Sequence, residues 1–222
     1  MTLRTERRLV EGPAGRIELV IDHPPGPPHG VVFVGHPHPL YGGTLDNKVA
    51  ATLARAFGGA GWAAVRPNFR GVGASAGIHD AGRGETDDFV WLIEHAPLWS
   101  DRDLHASLPR ALAGFSFGSF VAAQAYARLA AKHQAPRHLV LVGAAAGKWP
   151  MPPVPATTLV IHGDLDETIP LADVFAWARP LDLPVVVLPG ADHFFHRRLA
   201  TLKRLVAGHL QTVPHEATDL AD

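Results

Sequence analysis

Gly114, Phe115, Ser116, Phe117 and Gly118 form a GxSxG pentapeptide between an apolar run and a stretch rich in alanine. A serine hydroxyl is a poor nucleophile at neutral pH and needs a turn that presents it and a base that takes its proton. In a strand-turn-helix of this kind the turn is too tight for bulk at the neighbouring positions, and glycine on either side relieves the clash. Residues 110–115 (RALAGF) supply the strand. The run from Phe117 (FGSFVAAQAYARLAA) supplies a helix whose free amides and positive dipole end face the serine. A Gly-Ser helix cap would look the same, so the pentapeptide alone does not decide, and the chain must also supply a base and a carboxylate to hold it.

In a doubly wound sheet, reactive groups come from loops at the carboxyl ends of strands. That condition is severe on the fourteen histidines of this chain. It selects His193, just after the apolar run 184–188, and Asp164 or Asp166, just after the run 158–162. The resulting chain order, Ser then Asp then His, is the one expected with this turn.

The elements that must position these groups follow from the hydrophobic pattern. Residues 3–10 and 15–22 read as a hairpin around Gly12-Pro13-Ala14-Gly15, followed by a Pro-rich spacer over 23–30. Beyond it, continuous apolar runs alternate with helical stretches, the pattern of parallel strands covered by helices on both faces. The strands are 30–35, 62–66, 110–115, 138–142, 158–162 and 184–188, read as six buried strands. Helices are predicted over 46–57, 86–95, 117–132, 171–178 and 196–210. The second is given an acidic first turn by Asp87 and Asp88, and the last is opened by His196.

With 222 residues, 47% hydrophobic and 18% charged, the chain suits one α/β domain over residues 1–222, with 1–29 as hairpin and spacer and 213–222 as a frayed tail. A formal charge of −1 gives no basic stripe for nucleic acid, so a small-molecule substrate is expected. There are no cysteines, which excludes disulfides, thiolate metal sites and a cysteine nucleophile. No apolar stretch is long enough to cross a bilayer, no leader pattern opens the chain, and the expectation is a cytoplasmic protein that engages no membrane. Nothing in the pattern sets an oligomeric state.

The stretches VVFVGHPHPLYGGTLDNKV, RPNFRGVGASAG, GFSFGS, IHGDLDETIP and GADHFFHRR occur in an order that resembles the α/β-hydrolases. Within them the chain is similar to the small lidless bacterial serine hydrolases related to dienelactone hydrolase. The resemblance spans residues 30–198. It implies an eight-stranded, mostly parallel sheet whose second strand runs antiparallel, and no lid domain. It also implies that Asp166 is the acid while Asp164 shapes the turn, and that His193 is the base. A tetrahedral oxyanion needs two amides, one from Phe117 and one from the loop GHPHPLYGG. Pro37 and Pro39 carry no N–H, leaving His38, Leu40 or Tyr41. The resemblance favours His38.

Rival readings of the same residues are weaker. An HxH metal site such as the His36/His38 pair at a strand end needs further ligands on a larger barrel, and this chain is short for one, so no metal or cofactor is expected. His193 and His196 as a ligand pair fail once His193 serves as base. Gly71, Gly73 and Ala76 imitate a dinucleotide fingerprint, but no helix begins promptly after them, and the loop reads as one wall of the site. Tyr41, Phe115, Trp149 and Phe194 are candidates to line a pocket. Only residues 143–157 separate two strands where a lid would be inserted, too few for a helical cap. A shallow, open site is therefore expected, on a carboxylic-ester hydrolase taking short or accessible esters. A thioesterase or acyltransferase would use the same three groups, and an idle binding module on this scaffold is the reading from another class.

Overall fold

A computed structural model describes residues 4–100, 104 and 107–212; the tail at 213–222 and the first residue of the expected hairpin, 3, lie outside them. The hairpin is β1 (Arg4–Gly12) and β2 (Gly15–His23), joined at Gly12 and Gly15 across the turn expected there. The remaining strands are β3 (Val31–Gly35), β4 (Ala63–Pro67), β5 (Arg110–Phe115), β6 (His138–Val142), β7 (Leu159–Gly163) and β8 (Val185–Leu188). They form one eight-stranded sheet in the order β1-β2-β4-β3-β5-β6-β7-β8. β2 pairs antiparallel with both β1 and β4, and all other pairs are parallel. This is the α/β-hydrolase sheet.

Helices α1 (Lys48–Gly59), α2 (Arg83–Glu94), α3 (Ala96–Trp99), α4 (Phe117–Ala131), α5 (Leu171–Ala178) and α6 (Leu199–Thr212) flank it. The two-residue period of a strand sends alternate side chains to opposite faces. Val32 and Val34 pack with Val49, Leu53 and Phe57 of α1 and Leu202 and Val206 of α6. Val31 and Phe33 face the other way, toward Phe89 of α2, Trp99 of α3 and Val121 of α4. Each such side chain removed from water contributes about 1.5–3 kcal/mol, and the two clusters hold the sheet between two helical layers.

The structure departs from the sequence expectations at particular elements. β8 is half-buried throughout rather than buried, because it is an edge strand with a neighbour on one side only. α2 begins at Arg83, so Asp87 and Asp88 fall beyond the first turn. The acidic residue of that turn is Glu85, which accepts the Gly82 amide at 2.8 Å; Asp88 and Asp87 instead pair with Arg70 and Arg128. α6 begins at Leu199. His196 does not open it: Phe195 and Arg197 take positive φ of 54° and 60°, and His196 turns back to Asp192, with Nδ1 2.6 Å from Oδ2. Among the described residues, no helix is long and apolar enough to cross a membrane.

Candidate active site

The reversal of strand order places the ends of β3 and β5 side by side, the position at which open α/β sheets gather their ligands. Gly114, Gly118 and Gly35 make the approach possible. A Cβ on Gly114 would lie 2.1 Å from the Gly118 carbonyl oxygen, and one on Gly118 would lie 2.2 Å from the Gly35 carbonyl oxygen. The close passage of β3, β5 and α4 drives Ser116 to φ 55° and ψ −123°, a strained backbone region for a non-glycine residue. The turn is held by Ser116 N–H donating to Val142 O at 2.9 Å. Ser119 Oγ in turn donates to Ser116 O at 2.6 Å and accepts the Ala145 amide at 3.0 Å. Gly118→Ala is accordingly expected to destabilise the fold by about 1–3 kcal/mol and to lower Tm by about 2–12 °C; a melt superimposable on the parent's would contradict this packing.

Three of the predicted groups meet beyond that turn. Ser116 Oγ lies 3.1 Å from His193 Nε2, and His193 Nδ1 lies 2.7 Å from Asp166 Oδ2. The partners assign the tautomer: Nδ1–H donates to the carboxylate, leaving the Nε2 lone pair for the serine hydroxyl. Asp166 Oδ1 accepts the amides of Thr168 at 2.9 Å and Ile169 at 2.8 Å. Burial would raise its pKa, but the hydrogen bonds from His193 and Ile169 and the nearby imidazoles outweigh it and hold the carboxyl below its ordinary value. Asp164 does not join them; its Oδ1 accepts the Gly190 amide at 2.6 Å, tying the end of β7 to the turn that carries His193. Phe115 is not a pocket residue: it is fully buried, with its ring 4.9 Å from the His193 ring, and packs against that imidazole.

The loop after β3 separates the amide candidates. Leu40 N–H donates to His38 Nδ1, and Tyr41 N–H to His38 O at 3.1 Å, so both are used within the loop. The amides of His38 and Phe117 have no acceptor among the described residues. His36 has a different task. It is fully buried; its Nε2 accepts the Phe69 amide at 3.0 Å and its Nδ1 lies 2.6 Å from Pro37 O, so both ring nitrogens are engaged within the protein.

Burial pushes the His36 imidazole down from 6.5 to about 4. Protons therefore bind the unfolded chain first as pH falls, and the contribution of the neutral ring is complete above about pH 6.5 and lost toward pH 4, an effect of about 3 kcal/mol. Urea midpoints should fall across that window, and His36→Gln, which does not titrate, should flatten the slope. Identical slopes for parent and variant would place the acid sensitivity elsewhere.

A cleft of about 470 Å³ opens at Ser116 between His38, Tyr41, Phe117, Trp149 and Ile169, with Lys148 and Glu167 also lining it. A second recess of about 250 Å³, bordered by His193, Phe194, Asn47, Gly42 and Gly43, shares Ser116, His38, Tyr41 and Thr168 with the first. Tyr41, Trp149 and Phe194 thus line the site as expected. Residues 143–158 carry no helix, yet the site is not flat: Ser116 is only 8% exposed, and this stretch brings Trp149 against Phe117 and Phe120. The 70–77 loop does not form a wall. Its Ala74 and Ala76 amides bond Glu18 and Arg16 on β2, and only His79 beyond it reaches the site's edge, its ring 4.8 Å from His38 with Nδ1 2.6 Å from the buried Glu85. The sequence reading missed His79, Lys148, Glu167, Thr168 and Ile169. Of these, Thr168 and Ile169 carry a signal, since they follow Asp166 at the spacing of a turn that wraps a carboxylate.

No family model matches the chain. Among solved structures it is similar to an α/β serine hydrolase without a lid from Xanthomonas campestris, at 33% identity over 96% of this chain and 97% of that one, with a TM-score of 0.85. An α/β serine hydrolase homologue from Coxiella burnetii is 37% identical over 92% of this chain and 97% of that one, with a TM-score of 0.77. Dienelactone hydrolase from Anabaena variabilis, 17% identical over 96% of this chain and 99% of that one with a TM-score of 0.74, shares the fold.

Proposed function

The chain belongs to the lidless α/β serine hydrolases, and we propose from that premise that it hydrolyses carboxylic esters through Ser116, His193 and Asp166. The observation that carries the reading is the continuous line from Ser116 Oγ to His193 Nε2 at 3.1 Å and from His193 Nδ1 to Asp166 Oδ2 at 2.7 Å. Ser116 Oγ attacks the ester carbonyl while its proton passes to Nε2. Asp166 fixes the imidazole tautomer and stabilises its charged form. The bond to the leaving oxygen then breaks as Nε2 returns the proton to it, and the acyl group remains on Oγ. Water, deprotonated by the same nitrogen, attacks the acyl-enzyme, releases the carboxylic acid and restores the serine.

Negative charge on the tetrahedral oxygen falls to the amides of Phe117 and His38. Phe117 is the first residue of α4, so its N–H lies at the positive end of the helix dipole. The absence of an internal acceptor for either amide among the described residues supports this pairing over Leu40 or Tyr41.

Labelling tests the mechanism directly. A fluorophosphonate should form an adduct on the peptide containing Ser116, located by mass spectrometry, and ester hydrolysis should fall in step with labelling and be insensitive to chelators. An unlabelled serine, together with activity lost to a chelator, would overturn the proposal.

A further inference from the structure

The two recesses at Ser116 are unlike in size and lining, and one reactive atom says which half of an ester each takes. His193 Nε2 must hand its proton to the leaving oxygen, so the alcohol half of the substrate lies where His193 is exposed. His193 borders the 250 Å³ recess with Phe194, Asn47, Gly42 and Gly43 and does not line the 470 Å³ cleft. With the oxyanion turned to the amides of Phe117 and His38, the remaining substituent on the tetrahedral carbon, the acyl chain, enters the larger cleft. This assignment rests on the serine-ester mechanism proposed above.

One side of that larger cleft is built of rings, and Lys148, Glu167, Thr168 and Ile169 also line it. Trp149 packs edge-on to Phe117 with centroids 4.9 Å apart and stacks on Phe120 at 5.3 Å. His38 lies 5.0 Å from Phe117 and 5.6 Å from Trp149, and Tyr41 lies 4.7 Å from His38. The mutual packing of Trp149, Phe117 and His38 sets these rings before substrate arrives, so little ordering of them is left to binding, while Tyr41 stands exposed at the rim. Ring faces and edges gain more from another ring than from an alkyl chain of equal area. The alcohol recess offers backbone at Gly42 and Gly43, the Asn47 amide side chain and the Phe194 ring, shares Tyr41 and His38 with the larger cleft, and has room for a small alcohol.

We infer that the preferred substrates are esters of an aromatic acid with a small alcohol, the acid seated in the larger cleft against Trp149 and the alcohol beside His193 and Phe194. Two ratios of kcat/KM read the assignment. The acyl ratio compares methyl hydrocinnamate with methyl nonanoate, which have equal carbon counts in the acid; the alcohol ratio compares benzyl acetate with methyl acetate. Each variant is compared with the parent, so intrinsic ester reactivity cancels.

The parent should favour the aromatic acid by about three- to ten-fold. Trp149→Leu, which keeps apolar bulk without a ring, should remove most of that preference, and Trp149→Ala should remove all of it; thermal melts check that both variants are folded. Phe194→Ala, at an exposed position, should move the alcohol ratio and leave the acyl ratio in place. A parent that prefers the nonanoate would overturn the aromatic class. A Trp149→Leu protein whose alcohol ratio moves while its acyl ratio stays would overturn the partition. Either result, obtained with an enzyme that a fluorophosphonate still labels at Ser116, leaves the serine mechanism standing; absence of both labelling and hydrolysis is the separate signature of that mechanism's failure.

Discussion

Ser116→Ala is expected to lower kcat by about 10⁴- to 10⁶-fold while the protein melts close to the parent's Tm. The two halves of that expectation have separate physical grounds. Chemistry fails because alanine has no atom to form the acyl bond, and His193 without a nucleophile can only activate water, leaving the rate supplied by binding and the oxyanion amides. Stability survives because the strain at this position is in the backbone: φ of 55° costs an alanine no more than a serine. The Val142 carbonyl still receives the amide at residue 116, and Ser119 still ties the turn to Ala145. The hydrogen bond lost is the one from Oγ to His193, worth about 1 kcal/mol. Steady-state rates on a methyl ester beside a thermal melt check both halves. A variant retaining a rate near the parent's would mean that the nucleophile is another group.

Which features could be read before the structure depends on how local their causes are. Continuous runs such as VVFVG and HLVLV have one stable home, a strand covered on both faces, and β3 and β6 appear there within a residue. The GxSxG turn is equally local, since its glycines answer clashes within a few residues. Edge position is not local: VVVL in β8 reads like its neighbours, and only the strand order leaves it half-buried. Helix starts failed where side chains compete with the backbone. Glu85 reaches back to the Asp80 and Gly82 amides and starts α2 ahead of the acidic pair at 87–88, while the Asp192–His196 contact holds the chain in a turn before α6. Phe115 and Phe117 show the same limit at the site. Two residues apart around the elbow, they belong to opposite core layers, so Phe117 lines the cleft and Phe115 supports His193. Ser116, Asp166 and His193 were legible because each lies in a loop that follows a strand; the cleft was legible only at Tyr41, Trp149 and Phe117, because its walls come from four loops brought together by the sheet.

Asp166→Asn should lower kcat by about 10⁴-fold through the tautomer of His193 alone, and the surrounding amides dictate why. Oδ1 of Asp166 accepts two backbone N–H groups, from Thr168 at 2.9 Å and Ile169 at 2.8 Å. An asparagine can satisfy both only by placing its carbonyl oxygen there; the reverse orientation would set an NH₂ against two donors. The amide nitrogen must then occupy the Oδ2 position, 2.7 Å from His193 Nδ1, where it donates. His193 is forced to accept at Nδ1 and to carry its proton on Nε2, facing Ser116 Oγ with a hydrogen where the base requires a lone pair. The geometry of all three side chains is preserved while the proton stands on the wrong nitrogen, so KM should change little and the loss should fall on kcat. Asp166→Ala offers the contrast: with no donor opposing Nδ1, the ring can regain the working tautomer by donating to water, and its kcat should equal or exceed that of the asparagine variant. The rate constants of the two variants, with a ¹⁵N spectrum of the imidazole to report the tautomer, test the argument. An asparagine variant within about ten-fold of the parent in kcat would show that Asp166 does not orient the base.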